Sequence, residues 1–236
     1  MPRFRCARPL IGTAFGYSFG PGWVILFNTS MDYTISRLSP ENTRNIFDQI
    51  AFLHIGEIHH GILPLLGSRF LSALYREMSG STSTGVWCAM NGEKVAGFIS
   101  GSANLRLMYK RVLLHGGIKL IFSAGISILS PKVLKNLGAL VLYPFRTKQN
   151  NGIDNGTEPE LLSIVVAPEA RSSGIGRSLV QSLEAGFREW GTTGTYRVTT
   201  NIEETASNAF YKSLGFKPVG TLMHHKLTLQ VYEKSL

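Results

Sequence analysis

The sequence predicts an α/β fold in which helices flank one mixed, strongly twisted sheet of six or seven strands. Three observations lead there. Segments with the two-residue apolar period of strands alternate with segments of helical period. Their order is βααββ, then two further helices, then βαβαββ. An Asn-Gly pair at 91–92 sits between two apolar runs, a hairpin signal. A near-continuous apolar run at 160–167 leads at once into a glycine-containing turn and a helical pattern, as a buried strand feeding a crossover does.

Residues 32–38 alternate and form the first strand. Ser39-Pro40-Glu41-Asn42 starts a helix, with Ser at the N-cap and Pro at the first helical position, and Ile46, Ile50 and Leu53 continue it. Residues 64–78 form a second helix with Leu66, Phe70, Leu74 and Met78 on one face. Gly80 to Gly85 is a loop. The hairpin pairs Val86–Met90 with Val95–Ser100 across Asn91-Gly92-Glu93-Lys94. Two amphipathic helices follow within 105–145, the second opening at Ser130-Pro131, and 147–159 is a polar loop. Pro168 ends the buried strand, and a helix runs from Gly174 to about Trp190 with Leu179, Leu183 and Phe187 inward. Tyr196–Thr200 is a strand, Thr205–Leu214 a helix stopped by Gly215, and 216–223 with 227–232 close the sheet.

Composition bounds the protein class. A 236-residue chain that is 44% hydrophobic and 17% charged is globular and fits one domain. The expected domain runs from 31 to 236, and residues 1–30 form a disordered extension or sequence upstream of the true start. Glycines and prolines interrupt any apolar core there, which argues against a secretion signal. Cys6 and Cys88 are too few for a disulfide framework or a cysteine-rich zinc site, so a reducing, cytoplasmic compartment is expected, with no metal. The net charge of +9 is local. Residues 94–153 hold nine Lys and Arg and no acid, while the other fifteen cations balance the fifteen acids. Such an excess concerns partners and not fold.

The chemistry concentrates at Arg171-Ser172-Ser173-Gly174-Ile175-Gly176. A strand, then Arg-x-x-Gly-x-Gly, then a helix makes an anion cradle. Glycines let the backbone approach the ligand, successive N–H groups converge, and the positive helix end adds to them. A tight turn into a helix, or a dinucleotide fingerprint, would share part of this pattern. The fingerprint's third glycine and its acidic ribose partner are missing.

Beyond the next strand lies Asn208-Ala-Phe-Tyr211-Lys-Ser-Leu-Gly215-Phe216. With the strand Leu162–Ala167, Pro168 and the loop Arg171–Gly176, this segment resembles the GNAT superfamily of acetyltransferases over about residues 32–105 and 158–232. The helical insertion at about 106–157 is not part of the common core. The resemblance implies a sheet that splays where acetyl-CoA enters. The backbone of Ile164, Val165 and Val166 would bind the pantetheine arm. Arg171, Ser172, Ser173 and the N–H groups of Gly174, Ile175, Gly176 and Arg177 would bind the pyrophosphate. Asn201 and Asn208 would meet the amide arm or the acetyl group, and Tyr211 would lie beside the sulfur.

The transfer chemistry explains these types. A primary amine has a pKa of about 10 and attacks only when neutral, so a base must take its proton, and the departing thiolate needs a proton donor. Tyr211 is the expected acid. Glu160 is the expected base, since the histone-acetylating branch carries a glutamate at the similar position; Glu158 is its neighbour. His54, His59 and His60 lie at the turn-off from the first helix, where GNAT proteins build the acceptor pocket, and His59 and His60 are taken as acceptor-binding. The acceptor expected is a small amine such as an amino sugar, with a protein N-terminus or lysine as the alternative. A non-catalytic acyl-CoA-binding module is the competing function. The basic insertion suits a lid, an anionic membrane surface, or a phosphorylated acceptor such as a sugar nucleotide. Basic residues do not interleave with aromatics, so nucleic acid is not expected. A homodimer is compatible with the chain.

Overall fold

A computed structural model describes residues 33–59, 61, 63–112, 123, 158–224 and 227–236. Within them the strands are β1 (Thr34–Arg37), β2 (Thr84–Asn91), β3 (Lys94–Ser102), β4 (Glu160–Val166), β5 (Thr195–Asn201), β6 (Lys217–His224) and β7 (Leu227–Ser235). The helices are α1 (Arg44–Glu57), α2 (Ser68–Ser79), α3 (Leu105–Arg111), α4 (Ile175–Glu189) and α5 (Thr205–Ser213). One seven-stranded sheet runs in the order β1-β2-β3-β4-β5-β7-β6. Only β4 and β5 pair in parallel; all other neighbours are antiparallel.

The sheet is covered on both faces around β2 to β4. Ile175, Leu179, Leu183 and Phe187 recur every four residues, so α4 buries one stripe against Trp87, Ile99, Leu161 and Tyr196. Each such side chain contributes about 1.5–3 kcal/mol on burial. Phe47 and Ile50 of α1 with Leu71 and Tyr75 of α2 cover Val86, Phe98 and Val165 on the opposite face.

Three local expectations change. The first helix begins at Arg44 and not at Ser39, because Asn42 Oδ1 accepts from Ser39 N–H at 2.6 Å and closes a separate turn. The second helix is broken. A 3₁₀ turn at Leu63–Leu66 gives way to α2 at Gly67, whose φ of 86° an L side chain rarely adopts. At the hairpin Asn91 pairs with Lys94, so the two turn residues are Gly92 and Glu93. Only Gly92 has positive φ. Of the expected insertion, α3 is described, capped by Asn104, whose side chain accepts from Leu107 N–H. The remainder of the helical pair falls outside the described residues, as do residues 1–32 and His60.

The feature that matters for function is where β4 leaves β5. The two pair only at Glu160 with Arg197 and Leu161 with Val198. Against β3, Leu161 pairs with Gly101 and Ser163 with Ser100, so Leu162 is an extra residue with no partner. A bulge of this kind bends its strand and re-aims it. From Leu162 onward β4 presents a backbone edge with no β5 ladder.

Candidate active site

The open edge of β4 leads directly into the predicted loop. Pro168–Ala170 forms one 3₁₀ turn, and α4 starts after Gly174, whose φ is 87° with open space where a Cβ would stand. Ser172 is the one non-glycine residue among those described with positive φ, at 62°. A serine held there costs on the order of 1 kcal/mol or more and marks a loop shaped by its surroundings. Ser173 Oγ donates to the Ala170 carbonyl at 2.6 Å and stiffens the turn. The first helical bond closing on Gly174 comes from Ser178 N–H, so the N–H groups of Ile175, Gly176 and Arg177 have no intrahelical acceptor. Together with the helix dipole they make an end of the kind that suits an anion.

Gly176 also serves packing. A Cβ there would meet the Phe210 ring at 3.0 Å, so this glycine lets α4 and α5 pack closely. Arg171 spans the rim. Its Nε donates to the Val166 carbonyl at 3.2 Å, and its guanidinium is paired with the Glu57 carboxylate at the end of α1. On the other rim Lys94 bridges Glu169 at 2.6 Å, which lowers the Glu169 pKa.

Tyr211 lies on α5, buried among Phe210, Phe216 and Tyr232. Burial pushes its pKa above the usual tyrosine value, so the hydroxyl stays protonated. Asn208 is committed to the β5–α5 turn. Its Nδ2 donates to the carbonyls of Asn201 and Glu204 at 2.9 and 2.8 Å, and its Oδ1 accepts from Tyr232 at 2.8 Å. Asn201 Oδ1 accepts from Glu203 N–H in the same turn. Both asparagines thus shape the end of β5 that faces the splay. Glu160 stands at the closed end, where β4 and β5 still pair, opposite Ser102 and Arg197. His59 is exposed just past α1.

Three further groups bear on the site, of which Glu57 was not singled out from the sequence. Glu57 is the only acid between Asp48 and Glu77, but its partner lies 114 residues away, and spacing cannot reveal that. His54 faces the core, not a pocket. Its Nδ1 lies 2.6 Å from Tyr75 Oη, which also hydrogen-bonds Ser163 on β4, and its buried Nε2 has no partner. Burial alone lowers its pKa to about 4. Cys88 is buried with its thiol pushed up to about 12, so it is not a nucleophile.

Among the described residues no cluster of His, Cys, Asp and Glu could hold a metal, and no helix is long and apolar enough to cross a membrane.

Comparison with known proteins agrees with this geometry. Residues 135–218 match the family model described as an acetyltransferase (GNAT) domain. No curated protein matches the sequence significantly. Among solved structures, NAA60 from Arabidopsis thaliana in complex with acetyl-CoA superposes with a TM-score of 0.54 at 12% identity, over 86% of this chain and 98% of that one. Ard1 from Thermoplasma volcanium gives 0.53 at 15% identity, over 86% and 97%. An aminoglycoside 6′-N-acetyltransferase complexed with coenzyme A gives 0.51 at 18% identity, over 85% and 96%. The family-model match over residues 135–218 and the shared fold of these structures make this chain similar to the GNAT acetyltransferases.

Proposed function

We propose that the protein transfers an acetyl group from acetyl-CoA directly to a primary amine bound beside it. The observation that carries this is the β4 edge, which loses its β5 partner after Leu161 and runs straight into the loop and helix end at Gly174. An amide-bearing chain can add to such an edge as a further strand, and a diphosphate can rest on the N–H groups beyond it. The residues present therefore suit acetyl-CoA. Ile164, Val165 and Val166 offer the strand edge. Ser172, Ser173 and the N–H groups of Gly174 to Arg177 line the diphosphate end, with Arg171 at the rim. When bound, acetyl-CoA supplies an acyl group activated as a thioester.

Tyr211 is assigned to the sulfur. Its hydroxyl is held protonated and can donate a hydrogen bond to a developing thiolate. Complete proton transfer to a thiolate whose thiol has a pKa of about 8.5 would be uphill from so weak an acid, so Tyr211 acts mainly by hydrogen bonding. Asn201 is assigned to the amide arm, with Asn208 supporting it through the turn. Glu160 lies four residues from Ile164, about 13 Å along the strand, so as a base it works through intervening water.

The acceptor we infer is a small amine such as an amino sugar. One similar structure is an aminoglycoside acetyltransferase by name, and the basic segment 94–153 suits an acceptor carrying phosphate. His59, just past α1, is assigned to the acceptor in this reading, and His60 is assigned with it from the sequence. The same cations suit peripheral contact with an anionic membrane, which sedimentation with anionic liposomes at low salt would detect.

Calorimetry with CoA tests the core reading: a heat of binding is expected, and its absence overturns the proposal. Tyr211→Phe should leave CoA affinity unchanged and lower kcat about a hundredfold, within the range of general-acid groups. An unchanged kcat removes Tyr211 from the chemistry, and CoA binding without thiol release from any amine favours a binding module.

A further inference from the structure

Resting on the acetyl-CoA reading above, we propose that Glu57 is the site for the acceptor's ammonium group, and that Arg171 masks it until a diphosphate draws the guanidinium away.

The argument starts with where Glu57 sits. It is the last residue of α1, at the negative end of a helix dipole, where a carboxylate is disfavoured unless a cation compensates it. Arg171 is that cation, and it comes from the loop that opens the diphosphate cradle. Its position is set from the other side as well, by the Nε bond to the Val166 carbonyl at the end of the open strand. One guanidinium therefore joins the end of α1 to the end of β4, across the mouth through which both substrates approach.

The two roles of Arg171 compete. Guanidinium binds phosphate groups through paired N–H donors, and the donors now facing Glu57 are drawn from the same fork. A diphosphate carries more charge than a single carboxylate and has the α4 end beside it, so it takes Arg171 when it arrives. Glu57 is then left at a negative helix end with its cation gone. A primary ammonium group restores the balance. No other acid lies between Asp48 and Glu77, so the α1–α2 connection offers no alternative carboxylate. The consequence is an order: the acetyl donor binds first and creates the amine's site. A chain of net charge +9 repels a cationic amine in general, which makes one partly exposed local carboxylate decisive for where the amine docks.

The test uses the full chain. Glu57→Gln keeps the shape and removes the charge; thermal melting checks that it folds as wild type does. By calorimetry Glu57→Gln should bind CoA about three- to fivefold tighter, the scale of a partly exposed ion pair that no longer competes. The gain should vanish in an Arg171→Gln background. In a thiol-release assay with glucosamine, putrescine and a short peptide, Glu57→Gln should raise KM at least tenfold for whichever amine wild type turns over, with Glu57→Asp restoring part of the loss. Equal CoA affinity of wild type and Glu57→Gln overturns the mask, and an unchanged amine KM, or no turnover of any of the three amines, overturns the ammonium site. Both leave the acetyl-CoA reading standing. Failure of wild type to bind CoA at all removes that reading itself.

Discussion

His54 makes the fold acid-sensitive by an amount the structure allows one to work out. The ring is 1% exposed, packed beside Phe98 and bonded through Nδ1 to Tyr75. Protonation would place an N–H on both ring nitrogens, and Nε2 has no acceptor in its buried surroundings. Burial thus holds the folded pKa near 4, against about 6.5 in the unfolded chain. The sign follows directly. Between these values the unfolded chain binds more protons than the folded one, so stability is full above about pH 6.5 and is lost as pH falls toward 4. From pH 7 to 4.5 this single group removes about 2 kcal/mol, at 1.36 kcal/mol per pKa unit. For a chain of this size that lowers Tm by about 4–8 °C. The assay is thermal melting, followed by circular dichroism, at pH 7 and 4.5 for wild type and His54→Leu. Carboxylates contribute equally to both proteins, so the difference between the two pH shifts isolates His54. The variant should lose about 2 kcal/mol less on acidification, and equal shifts would mean that His54 does not carry the acid sensitivity.

Other perturbations follow from the site. Gly174→Ala forces a Cβ onto a left-handed residue at φ 87°, which should cost about 1–2 kcal/mol by denaturant melts and weaken CoA in calorimetry. Gly176→Ala drives a Cβ to 3.0 Å from Phe210, and since the ring must move, a loss of about 1–3 kcal/mol is expected in the same melts. Asn208→Ala strips the β5–α5 turn of its bonds to Asn201 and Glu204 and leaves Tyr232 without its acceptor, so Tm should fall by an amount equivalent to about 1–3 kcal/mol.

Much of this architecture was legible in the chain. The helix from Gly174 to Trp190, the strand ending before Pro168, and the helix stopped by Gly215 lie where their local signals put them. Apolar spacing, proline and glycine act over a few residues, so they can be read without knowing the fold. The misread starts of α1 and α2 have local causes too, but competing ones. Asn42 captures Ser39 into its own turn, and Gly67 breaks a pattern whose apolar spacing runs through it.

The order strand, turn, helix and the glycine whose conformation starts the helix can be read from the chain alone, because each depends on near neighbours. The surroundings of that turn come instead from contacts between distant segments. The parting of β4 from β5 depends on Leu162 finding no partner on β3. The use of Gly176 depends on Phe210, and the pairing of Arg171 depends on Glu57. Those contacts join residues from 34 to 114 positions apart, and no periodicity along the chain records which of them meet.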